Sequence, residues 1–141
     1  MPSRARSAAA GAVAATVWGL VEPLDQRLFR SDQSDIALLG KAVTSGPRWR
    51  EVGFALHAVN GVVFGLAFHE ARTRVSVEPR RLALAMALLE NVAFWPLGYF
   101  VDRHHPRLGE RGVPPLLSNG RAFVQATVRH AVFGVLLGRL A

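Results

Sequence analysis

Six polar residues stand inside long apolar runs: His57, Asn60, Glu90, Asn91, Arg129 and His130. A carboxylate, a guanidinium and two imidazoles in such surroundings are the groups from which proton relays and ion paths are built. Two histidines at matched positions are also a familiar axial pair for a haem. The same groups make purely structural pairs, because a buried charge needs a partner whatever the chain does. The simplest pairing is Glu90 with Arg129, and for His57 and His130 it is a hydrogen bond to a neighbouring helix backbone or to Asn60. His104 and His105 adjoin in a loop with no third ligand nearby, so no metal site is predicted. Nothing beyond the histidine pair signals haem, so no cofactor is predicted. The chain has no cysteine, which excludes disulfides, thiolate catalysis and cysteine-ligated metals. Ser/His/Asp, glycine-rich phosphate-binding and metalloprotease patterns are absent, and the reading is of a protein that is not an enzyme.

Four apolar runs must carry these residues: Ala8 to Val21, extending towards Phe29, then Val52 to Phe68, Leu82 to Val101, and Ala122 to Ala141. Half of the 141 residues are hydrophobic and 19% are charged, and the arginines gather between the runs. A membrane-spanning helix needs roughly 17 to 25 residues. Soluble helices show a charged face every turn, whereas Leu82 to Leu89 carries no polar side chain at all. The fold class expected is therefore all-α, an integral membrane four-helix bundle forming a single domain over residues 1–141.

The net charge of +7 fits that class. Its arginines flank the runs, where they meet anionic headgroups of the lipid bilayer, and they form no aromatic-interleaved groove of the kind that binds nucleic acid. Basic residues divide almost evenly between the two ends of the helices, so the positive-inside rule selects no orientation. Arg4 and Arg6 before an alanine-rich run resemble a signal peptide, but Leu20-Val21-Glu22-Pro23 offers no small-x-small cleavage site, and a retained first helix is expected.

The second half repeats the first at an offset of 73 residues. His57 to Gly65 (HAVNGVVFG) returns as His130 to Gly138 (HAVFGVLLG), Pro23-Leu24 as Pro96-Leu97, Arg30 as Arg103, Ser45 as Ser118 and Arg48 as Arg121. This predicts tandem duplication of a two-helix unit, with repeat unit one at about 8–68, repeat unit two at about 81–141, and a pseudo-twofold axis along the membrane normal. Gly61 and Gly65 follow His57 at i+4 and i+8, and Gly134 and Gly138 follow His130 in the same way. Small residues at that spacing let helix backbones approach closely, so these faces are predicted to be packing surfaces. Pro23 and Pro96 each remove a backbone donor late in a helix and are expected to kink it.

Between the first two runs, Ser34 and Asp35 read as the capped start of a short helix with Ile36, Leu39 and Val43 on one face. A short interfacial helix is expected there. Its counterpart, His104 to Gly120, holds Pro106, Gly109, Gly112, Pro114 and Pro115 and reads as an irregular loop.

The string RHAVFGVLLG (Arg129 to Gly138), following a proline-bearing aromatic helix, resembles the closing helix of small bacterial inner-membrane proteins of the YagU-like type, a family of unknown function. The likeness covers about a quarter of the chain. It implies a small multi-pass protein of the bacterial inner (plasma) membrane and carries no activity. The expected function is structural or accessory: a homo-oligomer or a subunit of a larger membrane complex. The alternative is a small oligomeric transporter or proton/ion conductor using the Glu/Arg/His layer, and a lesser one is a bis-histidine haem protein bound through His57 and His130.

Overall fold

The computed structural model describes residues 3–141, so the first two residues of the single domain expected over 1–141 lie outside the described residues. The described chain is all helical: α1 (Arg4–Phe29), α2 (Asp35–Val43), α3 (Trp49–Arg74), α4 (Pro79–Phe94), a 3-10 turn (Trp95–Leu97), α5 (Gly98–His104) and α6 (Gly120–Leu140).

Local chemistry sets the helix ends. The Ser3 hydroxyl accepts the Arg6 N–H at the start of α1, and Asn119 does the same for Ala122 at the start of α6. Proline at the first position of α4 needs no donor there, and the Glu78 carboxylate accepts the N–H groups of Arg80 and Arg81. The two interior prolines behave differently. Helix α1 continues unbroken through Pro23, whereas Pro96 lies in the 3-10 turn that joins α4 to α5.

Three helical stretches are long and apolar enough to cross a membrane: Arg4–Phe29, Trp49–Arg74 and Pro79–His104, the last running through the turn at Pro96. The fourth run folds as the 21-residue α6, but Gln125, Arg129 and His130 lower its mean hydropathy and it does not join them.

Glycines fix which helices meet. Gly61 and Gly65 of α3 lie against the backbone of α1 at Gly11 and Ser7. Gly134 and Gly138 of α6 lie against α4, where an added Cβ would come within 2.8 Å of the Leu84 Cα and 2.7 Å of the Arg80 Cα. Each contact in the second pair falls 73 residues after its counterpart in the first. Both pairs are antiparallel. Helix α6 also runs antiparallel to α1, from Gln125 beside Asp25 to the Leu140 carbonyl beside Arg6, so α1 and α4 point the same way. Ala10, Phe68, Ala83 and Leu137 form the apolar core, and Phe64 meets Phe133 edge to face at 5.1 Å.

Helix α2 forms where the short interfacial helix is expected, and it is packed on a neighbour. It packs antiparallel on the first turns of α3, with Gly40 on the Trp49 carbonyl and Gly53 on the Ile36 carbonyl. Its buried side is Ile36, Ala37 and Gly40, while Val43, placed by spacing on the apolar face, is exposed. The reason is steric: glycines at 40 and 53 admit a backbone contact closer than the larger side chains at Leu39 and Val43 allow. The chain therefore leaves α1 at Arg30, turns back alongside it through residues 31–34, and runs out again as α2. The loop after α5 folds over this hairpin: the Ser34 N–H donates to the Gly112 carbonyl at 3.0 Å, and Lys41 donates to the Arg111 carbonyl at 2.8 Å.

Candidate functional site

Along α1, Ser7, Gly11, Ala14, Trp18, Glu22 and Asp25 are all buried, spaced by three or four residues on one face. The face begins with small residues that admit α3 and ends with two acids. Opposite those acids stands Arg129 of α6, 2% exposed. Side chains of a helix lean towards its N-terminus, so the guanidinium reaches back to the end of the molecule where α1 finishes.

The guanidinium is saturated. Its Nε donates to Asp25 Oδ2 at 2.5 Å and its Nη2 to Asp25 Oδ1 at 2.9 Å, a two-pronged fork. Nη2 also donates to the Gln33 carbonyl at 2.9 Å, and Nη1 donates to Gln33 Oε1 at 2.6 Å and to Asp35 Oδ2 at 3.1 Å. Glu22 Oε1 lies 3.5 Å from Nη1, and the Trp18 ring centroid lies 5.9 Å from the guanidinium carbon. Gln125, one turn before Arg129, donates to the same Asp25.

Glu22 has a second task. Its carboxylate accepts the Ser34 hydroxyl at 2.6 Å and the N–H groups of Asp35 and Ile36 at 2.7 and 3.3 Å, so it closes the N-terminus of α2, where a negative charge is favoured. Burial by itself would raise the Asp35 carboxyl pKa. Arg129, His57 and the hydrogen bond from Gln33 outweigh that burial and hold it below the usual carboxylate range.

The expected Glu90 to Arg129 pair does not form, because two aspartates and Gln33 take up the arginine first. Glu90 instead faces His130, Oε2 to Nε2 at 3.6 Å, and accepts no hydrogen bond among the described residues. His130 donates through Nδ1 to the Ala126 carbonyl one turn back at 2.8 Å, which leaves Nε2 towards Glu90. His57 is half-buried and its Nε2 has no partner. Asn91 is buried and donates to Thr127 Oγ1 at 2.9 Å, tying α4 to α6, whereas Asn60 is exposed.

His57, Asn60, Glu90, Arg129 and His130, together with Asp35, line one cavity of about 50 Å³ between α1, α3, α4 and α6. That is space for about three waters. Five of the six predicted polar residues therefore meet at one place, and Asn91 lies in the adjoining groove below Trp95 and Leu97. Glu22, Asp25, Gln33, Asp35 and Gln125 complete the site; the sequence marks Asp35 only as the start of a short helix and the other four not as site residues, although the face shared by Trp18, Glu22 and Asp25 is a readable signal for two of them.

Compared with known proteins, the chain matches no family model, no curated protein and no solved structure.

Proposed function

We propose that the chain is a small multi-pass protein of the bacterial inner membrane, a four-helix bundle of α1, α3, α4–α5 and α6 built by tandem duplication, and that it serves as a structural or accessory element of a membrane assembly. Helix α6 supports a fourth crossing despite its polar residues, because they turn inward: Gln125, Arg129 and Gly134 are buried while Val124, Val128, Val132 and Val135 face out. A charge that would be costly against lipid is enclosed by partners. Duplication is supported by the two glycine contacts that recur after 73 residues, and a twofold axis along the membrane normal by the common direction of α1 and α4. Within the returning segment Gln33 and Ser34 are buried by protein, the condition under which irregular backbone is tolerated at membrane depth, while Ser31 and Asp32 face the open end of the molecule.

The observation that carries the accessory reading is the saturation of Arg129. All its donor nitrogens are engaged by groups from α1, from Gln33 and from Asp35 at the start of α2, so the arginine ties three parts of the chain together and has no donor left free. The packing glycines are consumed within the protomer, so contacts with other chains or lipid fall to the outer apolar surface, where Leu20, Leu24, Leu28 and Leu89 are each about two-thirds exposed or more. Native mass spectrometry of the protein released gently from its own membrane tests this: co-purifying foreign subunits or a defined homo-oligomer are expected, and a bare monomer with no associated chain contradicts it.

A second reading, a proton or ion conductor, is favoured by one specific observation. Glu90 and the His57 Nε2 both face the cavity without a hydrogen-bond partner. It requires flux in proteoliposomes that falls in Glu90→Gln.

A further inference from the structure

At the end of the molecule where α1 finishes and α6 begins, Arg27, Arg30, Arg111 and Arg121 line an open cleft of about 620 Å³. None of the four guanidinium groups donates a hydrogen bond or has a carboxylate within 4.0 Å among the described residues, in contrast to Arg4, Arg107 and Arg129, which are all paired. The one acid in the cleft, Asp32, is partly engaged, its Oδ2 accepting the Gly112 N–H at 3.3 Å. Four like charges against one leave the cleft three charges positive, and they repel one another unless an anion enters. The start of α6 adds to this field, since Asn119, also in the lining, caps only the Ala122 N–H and leaves the positive end of the helix turned to the cleft.

Arg30 supplies an independent observation. It is the only non-glycine residue with positive φ among the described residues, at φ 51, ψ 44, where it ends α1 by closing its N–H on the Gln26 carbonyl. Glycine is the residue that takes this position without strain. An arginine stands there instead, on the wall of the cleft.

We infer that the cleft between Arg27, Arg30, Arg111 and Arg121 binds a phosphate-bearing anion, the headgroup of an acidic phospholipid or a soluble phosphate. Arginine forks fit phosphate oxygens in pairs, and a site at one end of the bundle, beside the exposed Leu24 and Leu28, sits where a headgroup would lie if α1 spans a bilayer. In that respect the inference rests on the membrane reading above.

The test uses native mass spectrometry of the full-length protein in mild detergent with equimolar phosphatidylglycerol and phosphatidylcholine, alongside calorimetry with inorganic phosphate. Wild type is expected to retain phosphatidylglycerol about tenfold over phosphatidylcholine, and Arg30→Gln/Arg121→Gln to lose that preference. Arg103→Gln/Arg48→Gln removes the same charge at the positions 73 residues away, which do not line the cleft, and is expected to keep it. Arg30→Gly, which the left-handed backbone accommodates, guards against a folding artefact: its helix content by circular dichroism should match wild type while lipid retention falls. Phosphate binding abolished by the cleft pair without any lipid preference assigns the site to soluble phosphate. Retention unchanged in the cleft variants, equal loss in the control pair, or neither ligand binding overturns the site. A carbonate wash of native membranes separates the two claims, because a protein that washes off refutes the membrane reading, whereas one that stays embedded with neither a lipid preference nor phosphate binding refutes only the cleft.

Discussion

The Arg129 cluster and the Glu90 side of the same cavity use similar residue types and end in opposite states. Around Arg129 every charged group has partners: Asp25 receives a two-pronged fork and the Gln125 amide, Asp35 a contact from the guanidinium and another from Gln33, and Glu22 the open end of α2. Glu90 has a histidine at 3.6 Å and no hydrogen bond. The difference arises in the connections. The first connection turns back at Arg30 and inserts Gln33 and Asp35 beside α6, whereas the second, held by its prolines and glycines in an irregular loop, packs over α2 and sends no side chain to Glu90. Near-identical glycine contacts in the two pairs thus support unlike polar sites, and the saturated one is where substitution should matter most for stability.

Replacing Arg129 with methionine leaves Asp25, Asp35 and Glu22 without their shared cation, and breaking a buried pair in this way costs about 3–5 kcal/mol. The expected result is loss of folded protein in a thermal-shift assay in detergent; a variant melting within a degree of wild type would remove the clamp from the account. The glycine contacts come next. Gly61→Leu and Gly134→Leu force side chains into backbone on α1 and α4, and each should destabilise the protomer by about 1–3 kcal/mol, with similar values for both if the pairs are equivalent. A large effect at one position and none at the other would break the comparison between the pairs.

A smaller effect concerns pH. Because the Asp35 carboxyl is held below its ordinary range, the unfolded chain takes up a proton first as pH falls, so the stabilisation is complete above the ordinary carboxylate pKa and disappears as pH drops through the lower folded value. Amide exchange in α2 should accelerate on acidification in that window, and Asp35→Asn should flatten the dependence. The smallest effect is at Glu90. It accepts no hydrogen bond, so Glu90→Gln should change stability by no more than about 0.5 kcal/mol.

Much of this architecture is legible in the residues. Four apolar runs become helices, the capped start at Ser34 is real, and Gly61, Gly65, Gly134 and Gly138 are buried against neighbouring helices as their spacing predicts. The partner of Arg129 is not legible in the same way. Glu90 was the acid within an apolar run, and depth along the helices made it the natural choice, but Asp25 stands near the end of α1 and is brought within reach only because the arginine side chain leans back one turn. Gln33 and Asp35 depend on a chain reversal that Gly40 and Gly53 make possible, and neither glycine announces its distant contact in a local pattern. The buried face of α1 shows where a better reading was available, since Glu22 and Asp25 continue the small-residue stripe from Ser7 to Trp18 and so point the same way.

A polar centre that only holds the molecule together would not conduct. Proton and cation flux in proteoliposomes, measured for wild type and Glu90→Gln at matched incorporation, tests it most directly. No flux above protein-free vesicles is expected in either. Flux in wild type that falls in Glu90→Gln would contradict it and make the open side of the cavity the functional one.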